Sequence, residues 1–557
     1  MAQYPYRASV DTGAMPFATR YAGRTIIQPQ LDQYLQANLS AGITDITANK
    51  GIPEVYFIQD VLPTRQGIKS VAYQKVLKGL AGVTSFDRIQ TVKDFADNLG
   101  FLGITTDGRS FLISSFSPSW TEVTPAGAPV TSELSTAAVT GQTYICYPKF
   151  GIYNVDLVAV SLVPASISWG TTVDSNGVGV NNASIKSVCD CYNFLICTDG
   201  YTVYNSSATD PLDFDAFSGL ITGAQSQVPT DIQGNIVALV KVGIGWCIFT
   251  ETNVVSAQWS GNIQYPWVFR LSLNSGGIDS ITRVTAGGPD GTVYAWTSAG
   301  LQQTSVLKSQ VVFATLTDYL SSRFYEYWDS INNIPVEEQL ASDMNIRLQW
   351  TGNRYLVVSY GPSNLEQAYI YDSDLKQWGK LAVPHVAVVD LIIKADGNKH
   401  SYADLAGNAY ASLYSLAFSE ITTISQSAAS VKRTMGILQA DGTLLIPVMD
   451  EYNYTAKAVA LFGFYRLVRQ ELSTIQQVNI ENVDTQNYDF ILQLVASQMA
   501  SIPQITSVFD TYSINVEGGS SIQAYYGYSV GIDHALVLMG SFSIASLEFW
   551  FTRDGRR

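Results

Sequence analysis

Acid, base and metal chemistry in proteins rests mainly on His, Cys, Asp and Glu, and in this chain those residues are thinly placed. The three histidines, His385, His400 and His534, stand isolated, with no HExxH and no His pair at metal-ligand spacing. They read as core or surface histidines. Five cysteines, Cys146, Cys189, Cys191, Cys197 and Cys247, form an odd, irregularly spaced set and no disulfide framework. Three of them fall in CDCYNFLIC, which lacks the second CxxC or the His pair that zinc requires, so they read as free thiols buried in strands.

Carboxylates offer the one mechanism that sequence spacing cannot test, because a glycosidase needs only two Asp or Glu brought together by the fold. The candidates are Asp107, Asp199, Asp210, Asp213, Asp215, Asp290 and Glu251. Asp107 and Asp199 sit in Thr-Asp-Gly turns, where turn geometry alone accounts for an Asp. Asp210, Asp213 and Asp215 lie in TDPLDFDAF, an Asx-capped loop without the Gly and terminal Glu of a calcium loop. No GxxxxGK[ST], GxGxxG or GxSxG occurs, and the Ser-Asp-Gly-Trp box of sialidases is intact nowhere. No catalytic, cofactor-binding or metal-ligating residue is therefore assigned, and no cofactor is expected.

The elements that would position these groups are strands. An apolar strand, a tight turn and a second strand recur in FLGITTDGRSFLIS from Phe101, YICYPKFGIYNVDL from Tyr144, FLICTDGYTVYNSS from Phe194 and WCIFTETNVVSAQW from Trp246. Further copies are VYAWTSAGLQQTS from Val293, YLVVSYGPSNLEQAYIYD from Tyr355 and HSYADLAGNAYASLY from His400. Their turns, at Gly108, Gly151, Gly200, Asn253, Gly300, Gly361 and Gly407, are spaced by 43, 49, 53, 47, 61 and 46 residues. Hairpins recurring at that period predict a β-propeller of about six or seven four-stranded blades. Trp120 in SFSPSWTEV and Trp378 in YDSDLKQWGKL close outer strands and are expected to pack blade against blade. The long gap contains TDYLSSRFYEYWDSIN, residues 317–332, whose Leu320, Phe324, Tyr327 and Trp328 recur at helical spacing and predict an inserted amphipathic helix.

The predicted organisation is a mainly β protein: the propeller over 86–424, and a β-rich body formed by segments 1–85 and 425–557. QPQLDQYLQANLS and YDFILQLVASQM are the expected helices of the body, between strands such as GTLLIPVMD and HALVLMGSFSIASLEFWFTR. MAQYPYRASVDTGAMPF has no apolar core of a secretory signal, and the uncharged runs 157–173 and 535–547 are shorter than a spanning helix and alternate as strands do. A soluble protein is expected.

Composition agrees: 46% of the residues are hydrophobic and 12% aromatic, with Gly 43 and Tyr 32, while only 14% are charged, against roughly 25% in an average soluble protein. Lys plus Arg number 32 and Asp plus Glu 47, a formal charge of −15. Affinity for nucleic acid comes mainly from Lys and Arg displacing counterions, so ordinary DNA binding is excluded, whereas a wall past which DNA slides remains open. FTRDGRR clusters Arg553, Arg556 and Arg557 at the C-terminal end, a solvated tail or a dock for an acidic neighbour.

Taken together, GIPEVYFIQDVLPTRQGIKSVAYQKVL leading into blade-like repeats such as FLGITTDGRSFLIS, the Trp-closed strands and the terminal FTRDGRR resemble the tail nozzle, or tail tube, proteins of short-tailed bacteriophages. That resemblance implies a structural virion protein without catalytic residues, assembled in the host cytoplasm into a homohexameric ring. Its implied partners are a portal or adaptor ring and tail fibres or a needle, with genomic DNA passing through the lumen without specific binding. The alternative is a receptor-binding or glycan-degrading tail protein working through paired carboxylates.

Overall fold

A computed structural model of the chain describes residues 4–8, 57–77, 86–114, 120–338, 345–394, 431–448, 458–465, 472–482, 488–497, 507–516 and 521–555, with short interruptions. Nearly every element among them is an antiparallel strand, and seven four-stranded groups follow one another along the chain. Blade 1 is Phe86–Lys93, Leu99–Thr105, Ser110–Ser114 and Thr121–Glu122; blade 2 is Ser135–Val139, Gln142–Tyr147, Gly151–Asp156 and Ser161–Pro164. Blade 3 is Ser187–Cys191, Phe194–Thr198, Val203–Asn205 and Gln225–Gln227, and blade 4 is Ile236–Val242, Gly245–Thr250, Val254–Trp259 and Trp267–Leu271. Blade 5 is Val284–Ala286, Val293–Thr297, Gly300–Leu307 and Gln310–Thr315; blade 6 is Asn345–Thr351, Tyr355–Gly361, Gln367–Asp372 and Gln377–Leu381. From blade 2 to blade 7 the first strands of successive blades are neighbours in space, Phe86–Lys93 of blade 1 lies against Gln142–Tyr147 of blade 2, and the ring closes from Ala387–Lys394 of blade 7 onto Phe86–Lys93. The protein is a seven-bladed β-propeller with a β-rich body attached.

The recurring apolar runs are the second strands of the blades. Gln142–Tyr147, Phe194–Thr198 and Gly245–Thr250 are buried at every position, because a neighbouring blade covers each face, and a strand covered twice cannot alternate with polar residues. The layers between blades form the core. Tyr144 and Ile152 of blade 2 meet Val188, Leu195 and Tyr204 of blade 3. Trp120 joins Phe101 and Phe111 of blade 1 to Val389, Leu391 and Leu438 of blade 7, so this Trp packs one blade on the next.

Blade 7 departs from the expected limits of 86–424. Its strands run Ala387–Lys394, Val431–Leu438, Leu444–Val448 and then Ala72–Leu77, so the outermost strand comes from the other end of the propeller sequence. This splice closes the ring without an open seam. Blade 6 is extended instead of capped: beyond Gln377–Leu381 the same sheet continues through Val61–Thr64, Gly67–Ser70, Ser543–Gly555, Leu472–Asn482 and Ser521–Gly531, with Tyr4–Ala8 pairing Ser543–Gly555. A second body sheet has the order Phe57–Gln59, Ala458–Tyr465, Asp533–Gly540, Tyr488–Ser497, Ser507–Val516. One apolar cluster runs through both, joining Leu356 and Val358 of blade 6 to Ile475, Leu492 and Leu538 of the body.

Asp60 ties body, blade 6 and blade 7 together. Its φ of 54° turns the chain sharply between two body strands, and its carboxylate accepts from Tyr73 Oη at 2.5 Å and from the Ala382 amide at 2.8 Å. Its carbonyl accepts from the Val71 amide at 2.8 Å. Lys380, fully buried on the outer strand of blade 6, lies close enough to act on that carboxylate and holds its ammonium 4.9 Å from the Phe57 ring. Burial raises the Asp60 carboxyl above its ordinary range and pushes the Tyr73 hydroxyl well up.

Where they are described, two expected helices are strands, and residues 317–324 and 330–332 of the first lie outside the described residues. Within 317–332, Tyr325–Asp329 pairs antiparallel with Ile334–Glu338. Aromatic residues at helical spacing over so short a run also satisfy strand preference, and hairpin pairing decides between the two. YDFILQLVASQM forms Tyr488–Ser497, in which Tyr488, Phe490, Leu492 and Leu494 are buried while Asp489 and Ile491 are exposed. That is period two. The expected Gln-rich helix at 28–40, the seventh hairpin copy from His400 with Gly407, and Arg556 and Arg557 lie outside the described residues. No described helix is long and apolar enough to cross a membrane.

Candidate interaction surface

Asp107, Asp199 and Glu251 all lie on turns between the second and third strands of their blades, which in an up-and-down meander open on one face of the ring. Each is taken up locally. Asp107 accepts from Thr105 Oγ1 and from Arg109 Nε at 2.9 Å. Asp199 accepts from the amides of Tyr201 and Thr202 at 2.8 and 2.7 Å, and its other oxygen accepts from the Tyr204 hydroxyl at 2.8 Å. Glycines at φ of 78° (Gly108) and 113° (Gly200) complete both turns, a conformation that a Cβ disfavours. Glu251 accepts from Asn235 at 3.2 Å, and Asp290 lies outside the described residues.

Asp210, Asp213 and Asp215 lie between the third and fourth strands of blade 3 and cap backbone. Asp210 accepts from the Leu212 amide at 2.9 Å and Asp213 from the Asp215 amide at 3.0 Å. Asp215 accepts from the amide and hydroxyl of Thr171 at 3.1 and 3.0 Å. Among the described residues no group of three or more His, Cys, Asp and Glu is arranged to hold a metal ion.

His385 and His534 are buried and bonded. His385 pairs Nε2 with Ser359 Oγ at 2.8 Å and Nδ1 with the Val383 carbonyl at 2.6 Å. His534, in the body, meets Ser473 Oγ at 2.8 Å and Ser529 Oγ at 3.3 Å. Burial lowers both rings to about 4, keeping them neutral near pH 7. The five cysteines are free and buried, and burial raises the thiols of Cys146 and Cys191 to about 12 and those of Cys189, Cys197 and Cys247 likewise upward. Thiols so protonated are poor nucleophiles.

Most of the charges that join separate elements sit on the first strands of the blades. Asp190, on the first strand of blade 3, accepts from the Ala138 amide of blade 2 at 3.3 Å and pairs with Lys241 of blade 4 at 3.0 Å. Burial opposes the Lys241 charge, Asp190 more than offsets it, and the ammonium is held above its ordinary value. Asp390 repeats the device on blade 7: its carboxylate takes the Gly352 amide at 2.8 Å and Arg433 at 2.7 Å, and its carbonyl takes Thr91 Oγ1 of blade 1 at 2.7 Å. Arg347 of blade 6 pairs with the buried Asp87 of blade 1 at 2.6 Å. Sequence reasoning passed over these residues. Their signal is a lone carboxylate inside an apolar strand, SVCDC or AVVDLIIK, where an unpaired charge would be costly.

The remaining feature is apolar and faces outward. On blade 4 an aromatic chain runs from the buried Trp246 through Trp267 at 5.7 Å to Trp259 at 5.9 Å, and on to Tyr192 of blade 3 at 5.9 Å. Tyr192, Trp259, Ile263, Tyr265, Val268, Leu271 and Leu273 are exposed, Tyr265 by 63%. Tyr192 apart, they gather along one strand and its flanking turns, on both faces of the blade 4 edge, and exposed apolar side chains so grouped mark an interaction site more often than scattered ones do. This rim of blades 3 and 4 is the candidate functional surface.

No protein-family profile and no curated protein matches the sequence. Among solved structures, the chain is similar to YCF48 bound to a D1 peptide, with 9% identity and a TM-score of 0.35 over 71% of this chain and 98% of that one. It is similar also to the β-propeller domain of Cps50 (Swd1) of Myceliophteria thermophila, with 8% identity and a TM-score of 0.34 over 57% of this chain and 92% of that one. Both are distant likenesses of fold alone; the blade count rests on this chain's own strand order.

Proposed function

We propose that the chain is the ring-forming subunit of a short phage tail, a structural protein whose copies surround a channel for the genome and carry an adaptor above and fibres or a needle below. The observation that carries the reading is the continuous sheet from blade 6 into the body. It makes propeller and body one two-part unit built from both ends of the chain, the arrangement implied by the resemblance of GIPEVYFIQDVLPTRQGIKSVAYQKVL and the blade repeats to tail nozzles. The formal charge of −15 suits a wall past which DNA slides without adhering. Free buried thiols suit assembly in a reducing cytoplasm and a place in the virion thereafter. The reading assigns no catalysis: each described candidate carboxylate already has a hydrogen-bond partner in or beside its own turn or loop.

Particle mass of the purified chain with negative-stain class averages tests this. A ring of about six copies around an open axis is the expected result, since head-to-tail contacts close cyclically. A compact trimer that hydrolyses a surface glycan, losing activity on Asp substitution, would overturn it.

A further inference from the structure

The outermost strand of blade 4, Trp267–Leu271, has no strand on its outer side among the described residues. Two hydrogen bonds fix its phase: the Ser272 amide donates to the Val254 carbonyl and the Ser260 amide to the Pro266 carbonyl, both at 2.9 Å. Pro266, Val268, Arg270 and Ser272 therefore direct their backbone groups inward. Trp267, Phe269 and Leu271 direct theirs outward, a row of unmade ladder bonds.

The outer strands of blades 1 to 3 are guarded, whereas Gln310–Thr315 of blade 5, like Trp267–Leu271, ends its sheet without a described neighbour. Thr121–Glu122 of blade 1 is two exposed polar residues long, Ser161–Pro164 of blade 2 ends on a proline without an N–H, and Gln225–Gln227 of blade 3 is three polar residues. Blade 6 is covered by Val61–Thr64. Blade 4 instead flanks its free row with exposed Val268, Leu271 and Leu273 and the aromatic rim of Tyr192, Trp259 and Tyr265.

Residues 256–275 carry one charge, Arg270, in a chain whose formal charge is −15. Apolar and aromatic contact residues with few charges mark the core of a protein interface. We propose that the outer edge of blade 4 is a subunit contact, on which an acidic strand or loop from a second copy of this chain adds beside Trp267–Leu271. Pairing of this strand with itself about Phe269 would place two Arg270 side chains diagonally on one face with no acid between them, which counts against that two-fold register and favours a head-to-tail contact. The proposal rests on the ring reading and gives it an interface.

The test compares the full chain with a Val268→Lys/Leu271→Lys double variant and a Thr121→Lys control on the blade 1 edge, by particle mass across a concentration series. Circular dichroism and thermal melting confirm folding, and the expected result is unchanged melting with assembly weakened at least about tenfold in the double variant only. Hydrogen exchange gives a second readout: the amides of Trp267, Phe269 and Leu271 slow on assembly of the unaltered chain. A double variant that assembles like the unaltered chain, or edge amides that exchange equally fast in the assembly, overturns the edge contact and leaves the ring standing. A folded chain that stays monomeric at every concentration overturns both. A closed dimer abolished by the double variant keeps the edge contact and overturns the ring.

Discussion

Blades 6 and 4 end in opposite ways. The outer strand of blade 6 is sealed: Val61–Thr64 continues its sheet, Lys380 is fully buried in it, and Asp60 binds it to blade 7. The outer strand of blade 4 has no further strand beside it among the described residues, and apolar side chains show there. The same four-stranded unit thus serves as the root of a second domain in one place and as a bare margin in another. What differs is the segment that follows the edge, and a polar or proline-ended margin, as on blades 2 and 3, is the ordinary way of leaving it alone.

The sealed side is the easier to break. Asp60→Ala removes the acceptor for Tyr73 and for the Ala382 amide and leaves Lys380 buried with less compensation. Removing one partner of a buried ionic cluster costs about 3–5 kcal/mol. Denaturant unfolding should register that loss, with propeller and body unfolding together in the unaltered chain. A loss under about 1 kcal/mol would mean that the junction is incidental to the closure of blade 7.

Acid should attack the same side. His385 and His534 have ring values near 4 when folded against 6.5 when free, so the unfolded chain takes up protons that the folded chain refuses. Stability is fully present above pH 6.5 and is lost as pH falls from 6.5 towards 4, by about 3 kcal/mol for each ring. Residues 86–384 contain no histidine. Hydrogen exchange followed from pH 7 to pH 4.5 should therefore loosen the body and the blade 6–7 boundary before blades 3 and 4, and His534→Gln should flatten part of the acid limb. Uniform loosening would show that the two regions do not differ in this respect.

Much of this contrast was legible in the chain and part was not. Runs such as YICY, FLIC and WCIF mark the doubly covered second strands, because only an apolar stretch can be covered on both faces, and the turns between them carry the period. The residues that join distant segments leave no local mark. Ala72–Leu77 pairs with Leu444–Val448 across the whole ring, and neither segment states its partner. Tyr325–Asp329 and Tyr488–Ser497 read as helix because aromatic and aliphatic spacing over so few residues satisfies two periods, and pairing chooses between them. Among the candidate carboxylates, the Thr-Asp-Gly pair was readable as turn chemistry. Asp60, which the fold buries between three elements, was not singled out.

The two Thr-Asp-Gly turns give a finer comparison within the ring. Asp199 holds two amides and the hydroxyl of Tyr204, a side chain buried in the layer between blades 2 and 3. Asp107 is 54% exposed and answers to Thr105 and Arg109. Asp199→Ala should cost about 1–3 kcal/mol, because it leaves a buried hydroxyl without its acceptor. Asp107→Ala should cost about 0.5 kcal/mol, as expected of an exposed pair. Equal losses in thermal melts would mean that turn geometry alone decides both.

The smallest effect on stability is expected where the effect on assembly is largest. Leu271→Lys places a charge on an exposed position of a strand edge, and the long aliphatic stem of lysine covers much of what leucine covered. Folding stability of the isolated chain should stay within about 0.5 kcal/mol of the unaltered protein. A loss of about 2 kcal/mol or more would place Leu271 in the packing of blade 4 itself, making the margin a part of the core. An unchanged melt together with weaker association would separate the two regions cleanly: at blade 6 the edge residues hold one chain together, and at blade 4 they are spare until a second chain arrives.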